Sequence, residues 1–140
     1  MIFKLKDEIR TKKFIVVDDY ESMRVMLGED LKHLGVDNIT FATSGNEAWS
    51  FIKKNLGTPN AFEIVITDFV MENGTGLELV KTIRATPELK TLPILMVTSE
   101  SEATRVIECI NAGISNYIVK PWKIDDLAKK ITDSCTHKAK

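Results

Sequence analysis

Five positions carry side chains of complementary chemistry: the acidic pair Asp18-Asp19, a third carboxylate at Asp68, a hydroxyl at Thr98 and an ammonium at Lys120. Each directly follows or belongs to the end of a short β-rich run. Three carboxylates brought together repel one another and raise each other's pKa unless a cation lies between them. Hard oxygen donors of this kind suit Mg²⁺, which takes one or two carboxylates, keeps several waters and coordinates a phosphate oxygen. Lys120 offers a point charge to that phosphate, and Thr98 offers a hydrogen-bond donor. The set reads as chemistry for a phosphoryl group carried on one carboxylate. Asp68 is the natural acceptor, because the third run is expected to be central with the acidic pair beside it. Plainer readings stand next to this one. Asp18-Asp19 and Thr98-Ser99 also suit helix caps, Asp68 suits the turn leading to Glu72-Asn73-Gly74-Thr75, and Lys120 suits a solvated cation. Any one of these alone carries little weight; four runs delivering complementary groups together carry more.

The runs are Phe14–Val17, Ile39–Ala42, Ile64–Thr67, Ile94–Val97 and Tyr117–Val119. Several are continuously apolar, as strands buried on both faces should be. Helical stripes alternate with them. The first is Met23, Met26, Leu27, Leu31 and Leu34, closed by Gly35. The second is Ala48, Phe51, Ile52 and Leu56, opened by Ser44 with Glu47 three residues on. Thr75 and Glu78 repeat that capping signature before Leu77, Val80 and Ile83. The fourth stripe runs through Ala103, Val106, Ile107 and Ile110 to Gly113. In it Ile107 and Ile110 are expected to face the core, leaving Ala103 and Val106 at the edge. Ile124, Leu127, Ala128 and Ile131 form the fifth. Such alternation predicts a doubly wound α/β fold, a five-stranded parallel sheet with five helices and right-handed crossovers. Ligands then bind beyond the carboxyl ends of the strands.

The 140 residues suit one domain, 44% hydrophobic and 28% charged, with a formal net charge of −1. That balance gives no electrostatic pull toward nucleic acid or an anionic membrane, and no apolar run is long enough for a membrane span. Cys109 and Cys135 lack metal spacing and read as reduced packing residues. His33 and His137 read as exposed bystanders, Trp49 and Trp122 as core or rim. The cytoplasm is the expected compartment.

Phe14-Ile-Val-Val-Asp-Asp19, Asp68 through Met71, Gly76 through Arg84, Leu92 through Thr98 and Tyr117-Ile-Val-Lys-Pro121 together resemble the receiver domains of bacterial two-component systems, the stand-alone chemotaxis type especially. The resemblance covers about Lys13 to Cys135 and implies a flavodoxin-like strand order, 2-1-3-4-5. It implies Asp68 as phospho-acceptor and Mg²⁺ ligand, Asp19 as a direct Mg²⁺ ligand, Asp18 acting through water, and the Val70 carbonyl as the third protein ligand. It further implies Thr98 as switch hydroxyl, Tyr117 as switch aromatic, Lys120 as phosphate contact, and a cis Lys120-Pro121 bond. A single receiver domain over residues 1–140 follows, monomeric, accepting its phosphoryl group from a sensor histidine kinase. It would catalyse only its own phosphoryl transfer and dephosphorylation. Output is then expected through the fourth helix, fifth strand and fifth helix to a downstream effector, a flagellar motor switch foremost. A receiver within a larger regulator or phosphorelay is the alternative. An Asp-nucleophile phosphatase is disfavoured, since it needs a second acid where Val70 stands. The chain departs from the family pattern at Glu72, where Pro is common, and at the apolar Val70.

Overall fold

The computed structural model describes residues 5–69, 71, 75–99 and 105–136. Its strands form where β-branched residues cluster: β1 (Phe14–Val17), β2 (Ile39–Ala42), β3 (Ile64–Asp68), β4 (Ile94–Thr98) and β5 (Asn116–Val119). They make one parallel sheet of order β2-β1-β3-β4-β5, with β3 at its centre. Register aligns the carboxyl ends. Val17 pairs with both Ala42 and Thr67, Asp68 with Val97, and Thr98 with Val119.

Among the described residues six α-helices cover the sheet: α1 (Asp7–Arg10), α2 (Glu21–His33), α3 (Gly45–Asn55), α4 (Gly76–Arg84), α5 (Val106–Ala112) and α6 (Ile124–Thr136). The two-residue period of the strands splits the core into two layers. Ile15, Val17, Val65, Ile94 and Met96 face α3, α4 and α5. Phe14, Val16, Ile64, Ile66, Leu95 and Val97 face α2 and α6. Each fully buried Leu or Ile contributes about 1.5–3 kcal/mol relative to exposure, so the strand ends rest on a stiff platform. The Thr75–Glu78 capping box forms in full, and Ser44 accepts from the Glu47 N–H. Gly35 and Gly113 end their helices at positive φ, 97° and 111°, as glycine permits. No helix among the described residues is long and apolar enough to cross a membrane.

Three expectations need correction. The described residues hold six α-helices, not five, because Leu5 and Ile9 are buried in the α2/α6 layer and α1 forms between Asp7 and Arg10. The phase of the fourth stripe, which is α5, is also reversed. Val106 and Cys109 are buried, whereas Ile107 and Ile110 are 67% and 52% exposed. Val106 and Ile107 are adjacent and equally apolar, so either could have led the inward face; Cys109, three residues after Val106, completes it. Ala103 lies outside the described residues. Finally, Met26 is exposed, and Leu27 with Leu31 carries the buried face of α2. Edge strand β2 is only partly buried, with the Phe41 ring over Gly28.

Gly76 opens α4 directly against the end of β3. Its N–H donates to the Phe69 carbonyl at 3.0 Å, and a Cβ there would collide with the Asp68 carbonyl oxygen. Gly76→Ala is therefore expected to lower stability by about 1–3 kcal/mol, the cost of overpacking against backbone. Urea unfolding checks this; an unchanged midpoint would contradict the close packing of α4 on β3.

Candidate functional site at the carboxyl ends of the strands

The loop after β1 brings Asp18 and Asp19 beside the end of β3. One carboxylate oxygen from each of Asp18, Asp19 and Asp68 lies within 4.8 Å of the others. Asp18 is nearly inaccessible. Its Oδ1 accepts from the Tyr20 N–H at 2.9 Å, and its carbonyl accepts from Arg24 on α2 at 2.8 Å. Asp68 is 5% exposed, and Lys120 Nζ donates to its Oδ1 at 3.2 Å. The Lys120 N–H donates to the Thr98 carbonyl at 2.7 Å, fixing the ends of β4 and β5 together. The Lys120-Pro121 bond is cis.

Burial pushes the Asp68 carboxyl up from 3.8 to about 6, the Asp18 charge adds to this, and Lys120 opposes it. Asp18 is also raised, first by burial, against the Tyr20 N–H and the Lys120 charge. Lys120 and, at Asp18, Arg24 thus do not offset burial in the cluster. Asp18 Oδ2 is buried and accepts no hydrogen bond among the described residues. A buried carboxylate oxygen without a donor, beside two further carboxylates, fits a hard divalent cation such as Mg²⁺.

Thr98 is buried at the end of β4, and its hydroxyl donates to the Ser99 carbonyl at 3.3 Å. Tyr117 pairs with Met96, two residues before Thr98, so Tyr117, Met96 and Thr98 share one face of the sheet. The Tyr117 ring is half-buried against the α3–α5 layer, with Lys130 Nζ 5.2 Å from its centroid. Val70 lies outside the described residues. A groove of about 630 Å³ at the opposite end of β3 and β4 is lined mainly by apolar residues such as Leu56, Phe62 and Leu92, and it has none of this chemistry.

Three supports escaped sequence reasoning. Arg24 holds the Asp18 carbonyl. The Trp122 indole N–H donates to Asp30 at 2.9 Å, tying the Lys120 loop to α2 across 92 residues. The Arg105 guanidinium lies over the Phe69 ring. No local motif announces any of them; Trp122, two residues after Lys120, is the nearest to a signal.

The raised Asp68 fixes the sign of a pH effect. The folded protein keeps this proton where the unfolded chain, at 3.8, has lost it. The stability it contributes is full below about pH 4 and is lost as pH rises through about 6. In metal-free protein, Asp68→Asn should therefore flatten the decline in stability between about pH 4 and pH 7, by on the order of 1–3 kcal/mol. Urea unfolding across that window tests it, and identical slopes in both proteins would contradict the burial of a charged Asp68.

Residues 14–132 match the response regulator receiver domain family. The chain is 40% identical over 121 residues to a chemotaxis protein CheY homolog of Campylobacter jejuni, covering 86% of this chain and 90% of that one. It is 39% identical to chemotaxis protein CheY1 of Helicobacter pylori, covering 85% and 93%. Among solved structures, chemotaxis response regulator CheY4 of Vibrio cholerae superposes with a TM-score of 0.77 at 31% identity, covering 89% and 98%. Strand order, the acidic cluster at the carboxyl ends and these likenesses agree: the chain belongs to the response regulator receiver domain family, with chemotaxis regulators of the CheY type among its relatives.

Proposed function

We propose that this chain is a phosphorylation-activated switch that accepts a phosphoryl group on Asp68 from a sensor histidine kinase. Family membership implies phosphorylation-dependent signalling, and receiver domains bind Mg²⁺ through an acidic pocket. The observation that carries the assignment to Asp68 is its placement: a buried carboxylate, ion-paired to Lys120 and facing Asp18 and Asp19.

In this reading an Asp68 oxygen attacks phosphorus in line, forming the acyl phosphate as the P–N bond of the kinase phosphohistidine breaks. Lys120 leaves the carboxylate for the phosphoryl oxygens, supplying a fixed charge where negative charge gathers. Asp19 and Asp68 would hold Mg²⁺ directly, Asp18 through water, and the Val70 carbonyl would complete the protein ligands. The ion, when bound, neutralises charge on the transferring oxygens. Thr98 turns its hydroxyl from Ser99 toward the phosphoryl group, and Tyr117 follows inward on the same face. Output passes to a partner on α5, β5 and α6, where Ile107 and Ile110 stand exposed; the chemotaxis relatives favour a flagellar motor switch as that partner. The protein works as a cytoplasmic monomer, a single receiver unit with its core over about residues 13–135, and catalyses only its own phosphoryl transfer and loss.

Incubation with a small phosphodonor and Mg²⁺ should add one phosphate by intact mass, and Asp68→Asn should abolish the addition. Equal labelling of that variant would overturn the assignment.

A further inference from the structure

The switch proposed above runs through Thr98 and Tyr117, but a second contact joins the acceptor to α5 without them. Arg105, immediately before α5, holds its guanidinium carbon 4.9 Å from the centroid of the Phe69 ring. Phe69 follows Asp68 in the chain and is buried. Its N–H donates to the Val97 carbonyl at 3.1 Å, and its carbonyl accepts from the Gly76 N–H at 3.0 Å. The ring is therefore a fixed platform one residue from the acceptor. The Arg105 side chain is 55% exposed, and its ion-pair partner Glu108, at 3.5 Å, is on α5 itself. Arg105 thus moves with α5, and its contact with Phe69 spans from that helix to the acceptor loop.

The strength of this contact suits a switch. A cation over an aromatic face at an exposed site biases an equilibrium by about two- to fivefold, little enough to be exchanged for something stronger. A phosphoryl group brings up to about two negative charges, and the planar guanidinium offers paired N–H donors matched to its oxygens.

We propose that Arg105 is a second coupling residue. It lies over Phe69 while Asp68 is free, and it leaves the ring for the phosphoryl oxygens when Asp68 is modified, drawing the first turn of α5 with it. Because Ile107 is two residues on and exposed, that displacement changes how the apolar surface of α5 is presented. The contact differs between the two states, which is what coupling requires. The inference rests on Asp68 being the acceptor.

The test uses the full chain with Mg²⁺ and saturating beryllofluoride, which stands in for a phosphoryl group on a carboxylate. Bound fluorine resonances report loading, and amide hydrogen exchange over Ile107–Ile110 reports α5. In the parent, loading should change that exchange. In Arg105→Ala the change should shrink about two- to fivefold, in Phe69→Leu likewise, and the double variant should match either single one. A parent-sized response in Arg105→Ala, or additive effects in the double variant, would overturn the coupling alone. A parent that does not load, or an Asp68→Asn variant that loads equally, would overturn the coupling and the receiver reading together.

Discussion

The mutual repulsion of Asp18, Asp19 and Asp68, held with oxygens within 4.8 Å of one another at a buried edge, is the constraint around which this protein is arranged. Such a cluster cannot be held by a loop alone, because the charges would move apart or take up protons. Parallel strands solve the problem. Their carboxyl ends end at one level, and the three inner strands are paired on both sides. Asp68 ends the central strand, with apolar layers on both faces. Helix α2 then braces the site on two sides, through Arg24 at the Asp18 carbonyl and Asp30 at the Trp122 indole.

The same arrangement leaves the site short of cation. Lys120 is the one ammonium bonded to Asp68 among the described residues, and Asp18 Oδ2 has no donor among them. A site in this condition is poised: a divalent cation can lower its energy, and it does so through groups already in place. In the switch we propose, modification changes the partners of Lys120, Thr98, Tyr117 and Arg105. Thr98 ends β4, Tyr117 is on β5, Lys120 follows it, and Arg105 directly precedes α5, the helix that carries exposed Ile107 and Ile110.

Much of this was legible in the sequence. The strand runs, the acidic pair, Asp68, Thr98 and Lys120 are local signals, and a parallel sheet gathers strand ends without further information. The capping residues Ser44 and Thr75 were readable for the same reason. What failed was the inward face of α5. Valine beside isoleucine leaves helical phase ambiguous by one residue, and Cys109 was not counted in the stripe. Helix α1 was missed because four residues are too few for periodicity to register. Arg24, Asp30, Trp122 and Arg105 were missed because each acts through a contact that exists only once the sheet is assembled.

The most direct test of the account is the titration of the Asp68 carboxyl carbon by NMR, assigned by its absence in Asp68→Asn. Without metal its midpoint should lie near 6, lifted by burial and by Asp18. With saturating Mg²⁺ the cation should pull that midpoint below the usual carboxylate range. A midpoint at the ordinary carboxylate value, unmoved by Mg²⁺, would contradict the crowded, cation-deficient edge on which everything else depends.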